Sequence, residues 1–205
     1  MPDFRALTRR LIALLLLPVL VAACAPAGEW AADDVVARAR HVSDAPAEIT
    51  LITVINTRSG AGDHSALIIN GEHRILYDPA GSWFNRHAPR RNDVHYGMSP
   101  QLERIYLDYH ARDTHHVIAQ TLRLTPGQAA AAIQAAKAQS AAPSGQCAVR
   151  TSAVLRQIPG LEGVGSTFFP RTLKNRFEDV PGVVTRRIDA PVLPPRESAQ
   201  TALAG

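Results

Sequence analysis

Cysteine is nearly missing from this chain. Two are present among 205 residues, Cys24 and Cys147, so a multiply cross-linked disulfide scaffold is excluded. Aromatic residues make up 5% and the formal net charge is +4, too little stacking surface and too weak a positive charge to imply nucleic acid as a partner. Long apolar runs are equally scarce. Residues 11–22 form the one sustained stretch, interrupted by Pro18, and it falls short of the roughly 20 residues needed to cross a bilayer comfortably.

What is present begins with that stretch. Arg5, Arg9 and Arg10 lie ahead of it and Val21-Ala22-Ala23-Cys24 follows it, the basic, apolar and small-residue order of an export signal. The junction resembles the lipobox at which bacterial lipoproteins are cut and their cysteine acylated. Residues 1–23 are therefore expected to be a lipoprotein signal peptide. Cys24 is the expected lipidation site, carrying fatty acyl chains such as palmitate, and the membrane is a partner through that lipid. The bland alternative is an ordinary signal cut near Ala23. By analogy with Gram-negative lipoproteins, Ala25 in place of Asp favours the outer membrane, at its periplasmic face. The leader accounts for half of the net charge, leaving one basic cluster, "NRHAPRRND" at 85–93. It is read as a solvated loop in preference to a patch for lipid headgroups or envelope polymers.

Residues 24–44 read as a tether with a short helix through Arg40, residues 45–188 as one folded domain, and the Pro- and Ala-rich 189–205 as a disordered tail. Within the domain, "EITLITVINT" (48–57) is a β-branched strand. "SALIING" (65–71) and "RILYD" (74–78) flank Asn-Gly as a hairpin. Ser99 and Pro100 open a helix through His110, and residues 115–124 form another strand. Thr125 and Gln128 stand in capping-box spacing ahead of an alanine-rich helix. From Cys147, helical spacing puts Ala148, Thr151, Val154, Leu155 and Ile158 on one side, and Pro159-Gly160 ends the run.

If Cys24 carries lipid, Cys147 is an unpaired thiol at the first turn of a helix: core filler, an intermolecular bridge, or a reactive group. Unsatisfied N–H groups at a helix start favour a thiolate, and an imidazolium favours it further. Burial as a small hydrophobe is the competing reading. His64 opens the strand "HSALII", where Ala66 and Ile68 share its face, and a histidine at the mouth of an apolar strand has no evident core role. A metal site is not expected. His115 and His116 diverge on one strand, and His110 and Asp113 fit no known zinc spacing.

The order of these elements, with a histidine opening a short apolar strand and a later cysteine opening a helix, resembles the circularly permuted branch of the NlpC-type papain-like superfamily, related to lecithin:retinol acyltransferase. The resemblance covers about residues 48–160. It implies an α+β permuted papain-like fold, an antiparallel sheet packed against helices, with Cys147 as nucleophile and His64 as base. The third polar residue of the family falls on the next strand, at Asp78, with Tyr77 and His73 as alternatives. A two-residue Asn70-Gly71 turn would set His64 opposite Tyr77. A longer loop including Glu72, with His73 opening the second strand, would bring Asp78 directly across, and this longer connection is the expectation. Gln146 stands where the branch often has Asn, keeping an amide near the expected oxyanion site.

The function these features imply is a lipid-anchored envelope cysteine hydrolase, monomeric and cofactor-free. It would act through a thioester on an amide bond, in peptidoglycan peptides by preference. Acyl transfer or lipase-type chemistry on membrane lipids, and a non-catalytic binding or scaffold role, are the alternatives.

Overall fold

Strand β1 (Glu48–Asn56) has seven of its nine residues buried, so it lies inside a sheet covered on both faces. The computed structural model describes residues 31–191; the expected signal peptide, Cys24 and residues 192–205 lie outside the described residues. β1 pairs antiparallel with β2 (Gly62–Asn70) on one side and β6 (His115–Arg123) on the other. Beyond β2 come β3 (Arg74–Tyr77), β5 (Val94–Tyr96) and β4 (Arg90–Arg91); beyond β6 comes β7 (Val184–Ile188). The result is an α+β fold built on a seven-stranded antiparallel sheet in the order β4-β5-β3-β2-β1-β6-β7.

Alternation along the strands divides the core in two. Ile49, Leu51, Leu67, Ile69, Ile75 and Tyr77 face helices α3 (Pro126–Lys137), α4 (Cys147–Leu155) and α5 (Pro170–Glu178). Ile52, Ala66, Ile68 and Leu76 face helix α2 (Pro100–His110) with Trp83, Met98 and Tyr106. Both expected helix starts carry their caps. Ser99 accepts from the Leu102 N–H, and Thr125 and Gln128 make the reciprocal box. Helix α4 starts at Cys147 and ends at Leu155, one turn before Ile158.

Residues 31–44 are not free. Helix α1 (Asp33–Arg38) leads in to Ala39, and Val36 and Ala39 pack on the first core. The Ala31 N–H donates to the Arg90 carbonyl at 3.0 Å, and the Arg74 N–H donates to the His41 carbonyl at 2.8 Å. The sequence assigns this stretch to a tether, whereas the structure docks it along the sheet. Strands β4, β5 and β7 and helix α5 are additions to the elements expected from the sequence.

Candidate active site

The β2–β3 register decides which residues meet. Asn70 pairs with Arg74 and Leu67 with Tyr77, so the connection is Gly71-Glu72-His73, longer than a two-residue turn. His73 lies in this loop and Arg74 opens β3, a correction of two residues to the expected register. Asp78 consequently stops two positions short of the point facing His64, but on the same face as His64, Ala66 and Leu76. The imidazole bridges that offset. Its Nε2 lies 2.6 Å from Asp78 Oδ1. Tyr77 points to the opposite face, fully buried in the first core. His73 sits beside Glu72, at 3.1 Å, and stacks on Tyr96. Neither alternative reaches His64.

A bulge sits at the histidine. Val54 pairs with His64 but Ile55 with Gly62, leaving Asp63 as the extra residue. Bulges re-aim side chains at strand ends, and here Asp63 swings to His115 Nε2 at 2.8 Å.

The thiol arrives from α4, which packs on the face opposite α2. The Thr151 hydroxyl donates to the Ser65 carbonyl at 3.3 Å and fixes the helix start against β2. Cys147 is the first residue of the helix and 6% exposed, where the leading N–H groups have no intrahelical acceptor. Burial pushes the thiol pKa up, but the neighbouring His64 first, and then Ser65, outweigh it and hold it below its ordinary value. With Nε2 committed to Asp78, Nδ1 is the ring nitrogen left for the thiol.

Asp78 is fully buried. Its Oδ1 also accepts from the Tyr106 hydroxyl at 2.8 Å. Burial alone would raise its pKa, yet His64 first, then His95 and His110, hold it well below the usual carboxylate range. Burial likewise would lower His64, but the charge of and hydrogen bond with Asp78, aided by Cys147, raise it to about 10. The site is therefore cysteine, histidine and aspartate in sequence, with the thiol lowered and the imidazole raised.

Several supporting residues escape a reading of the sequence. Tyr106 is one of them, a tyrosine whose hydroxyl reaches Asp78. His110, a weak metal candidate, lies flat against His64, with ring centroids 5.6 Å apart and planes 9° apart, and its Nδ1 donates to the Tyr106 carbonyl at 3.1 Å. Gly81 closes a turn on the Asp78 carbonyl, with Ala80 at φ 58°; a Cβ at Gly81 would strike the Asp78 carboxylate.

The basic cluster at 85–93 is divided: Arg86 and His87 are exposed, whereas residues 90–93 serve as scaffolding. Arg90 pairs with the buried Asp93 at 2.5 Å, and Arg91 donates to the Ala31 carbonyl at 2.6 Å. The other oxygen of Asp93 accepts from the Ala142 N–H at 2.6 Å, and Asn92 donates to the Gln139 carbonyl at 3.2 Å. These bonds pin the loop that delivers Cys147. Gln146 is the N-cap residue of α4 and its side chain makes no cap hydrogen bond. Among the described residues no group of three His, Cys, Asp or Glu side chains is placed to hold a metal. His115 is taken by Asp63, and His116 lies 3.3 Å from the Thr57 hydroxyl.

His64 opens on a cleft of about 420 Å³ lined by Val54, Ala80, Ser82, Tyr109, His110, Arg112 and His115 among others. Comparison with protein-family profiles, curated proteins and solved structures finds no match for this chain.

Proposed function

We propose that this protein is a cysteine hydrolase with a permuted papain-like arrangement, anchored to the outer membrane through Cys24, that cleaves an amide bond, in peptidoglycan peptides by preference. The observation that carries the reading is the contiguous series Cys147, His64, Asp78, in which the thiol is lowered and the imidazole raised. A raised imidazole beside a lowered thiol favours the thiolate–imidazolium pair at neutral pH, the form a cysteine nucleophile needs.

In this mechanism the Cys147 sulfur adds to the carbonyl carbon and forms a C–S bond. The free N–H groups at the start of α4 receive the developing oxyanion. His64 hands its proton to the leaving nitrogen as the C–N bond breaks, giving a thioester and a free amine. Water then loses a proton to His64, attacks the thioester and releases the acid and the thiolate. Asp78 holds the ring in place and stabilises its charge in both halves.

Acyl transfer to or from a membrane lipid is a second reading favoured by one observation. Phe168 and Phe169 are 61% and 69% exposed, directly ahead of Pro170 and Arg171, which press on Gly62 beside the bulge.

The test is alkylation by iodoacetamide at pH 6.5, followed by mass spectrometry. Rapid modification of Cys147 that disappears in His64→Ala is expected. Modification no faster than that of a free thiol, in folded protein, sinks the enzyme reading and leaves the scaffold role.

A further inference from the structure

The cleft beside His64 carries a guanidinium, that of Arg112, on its wall. His115 is satisfied on both nitrogens, by Asp63 at 2.8 Å and by the Thr114 hydroxyl at 2.8 Å. Asp63, the carboxylate on this rim, is thereby engaged by His115 rather than by Arg112. Arg112 is held from two sides: its Nε donates to the Tyr109 carbonyl at 2.7 Å, and its guanidinium lies 5.3 Å from the centre of the Tyr109 ring. Among the described residues it makes no ion pair, although Asp108 and Asp113 line the adjoining hollow with it. An exposed guanidinium with fixed stem and two unengaged terminal nitrogens is a preformed fork for a planar anion. Val54 and Ala80 are the apolar groups of the wall, too few to hold an acyl chain.

We propose that Arg112 binds a free carboxylate on the substrate, so that the site takes carboxylate-bearing peptides. This assignment rests on the hydrolase reading above and names its substrate class. Arg112 and His64 line the same cleft of about 420 Å³, so a carboxylate held on Arg112 keeps the rest of a short peptide against His64.

The experiment compares three bromoacetyl reagents that differ in their far end: bromoacetyl-alanylglycine, its C-terminal amide, and bromoacetyl-phosphoethanolamine. In each, the Cys147 thiolate displaces bromide and a C–S bond replaces C–Br. The acid is expected to react about fivefold or more faster than its amide, as a charge-assisted bidentate contact implies. The acid-to-amide ratio should fall to about 1 in Arg112→Gln, stay intermediate in Arg112→Lys, and shrink in high salt. Taking the ratio cancels any common change in the thiol and separates Arg112 from the attraction of the His64 imidazolium. A ratio near 1 in the unmodified protein, or one that survives Arg112→Gln, overturns the proposal. Preference for the phosphoethanolamine reagent over the acid overturns it in favour of a lipid headgroup. Cys147 inert to all three and to iodoacetamide sinks the hydrolase reading itself, whereas equal rates with all three remove the carboxylate site alone.

Discussion

Asp78 Oδ1 serves two donors, the His64 ring and the Tyr106 hydroxyl, inside a core that excludes water. The pair it makes with His64 has a definite pH range. Because the imidazole is raised to about 10, its contribution to stability is fully present below the ordinary histidine value and fades as pH rises through about 10. Because the carboxyl is lowered, its contribution is present above the ordinary aspartate value and fades as pH falls toward the folded value. Between these limits the ring stays charged beside the lowered thiol. The alkylation rate of Cys147 should therefore be flatter from pH 6 to 8 than that of a free thiol, which with a pKa of roughly 8.5 loses about tenfold per pH unit. Asp78→Asn should restore the steep profile, slow alkylation at pH 6.5 at least tenfold and cost about 3 kcal/mol in urea denaturation, since it removes one partner of a buried pair. A flat profile retained in Asp78→Asn would take the orienting role away from this carboxylate. Gly81→Ala tests the same carboxylate from behind. The new methyl drives into it, so a loss of about 1–3 kcal/mol by overpacking, together with slower alkylation, is expected in a thermal melt and labelling assay.

At the level of elements, the legible parts were those whose signal is local. The β-branched run of β1, the Ser99-Pro100 start and the Thr125–Gln128 box each encode their own geometry, and the apolar face beginning at Cys147 marks a helix. The bulge at Asp63 is a two-strand property with no signature in "GDHS". It aims His64, so the base was legible as a residue but its aim was not. Likewise, the charges of "NRHAPRRND" suggest a solvated loop, yet Arg90 and Arg91 are satisfied by Asp93 and Ala31, which sequence spacing does not connect to the cysteine loop. Asn92, at φ 50°, was the available sign of the tight turn between β4 and β5. Strand β7 is mostly exposed and so lacks the apolar alternation that reveals a strand. Helix α5 did carry a sign, with Pro170, Leu173 and Phe177 on its buried face. The Asn92-Asp93 turn yields its own prediction. Asp93→Ala strands the buried end of Arg90 and the Ala142 N–H, so a loss of about 3 kcal/mol is expected, with slower alkylation of Cys147 as its loop loosens. Stability lost with the alkylation rate unchanged would show that the loop holds the thiol without this anchor.

On the scale of the whole molecule, the docked segment before β1 sets how far the site can stand from an N-terminal anchor. A chain starting at residue 45 would lose the Ala31–Arg90 and His41–Arg74 hydrogen bonds, the carbonyl that holds Arg91 and the packing of Val36 and Ala39. At about 1 kcal/mol per net hydrogen bond, the loss is about 3 kcal/mol, or roughly 10 °C in melting temperature. A free tether predicts no change, and differential scanning calorimetry separates the two. Under the proposed anchor at Cys24, the seven residues 24–30 would span at most about 25 Å between the lipid and Ala31, which would restrain the folded domain to the neighbourhood of the bilayer. Cys24→Ser should break that restraint without touching the site. The variant is expected to remain an uncut precursor in mass spectrometry and to leave the outer-membrane fraction, while its folded domain alkylates at Cys147 as fast as before. Mature mass and unchanged membrane partitioning in Cys24→Ser would rule out the lipid anchor and leave the chemistry at Cys147 to be tested on its own.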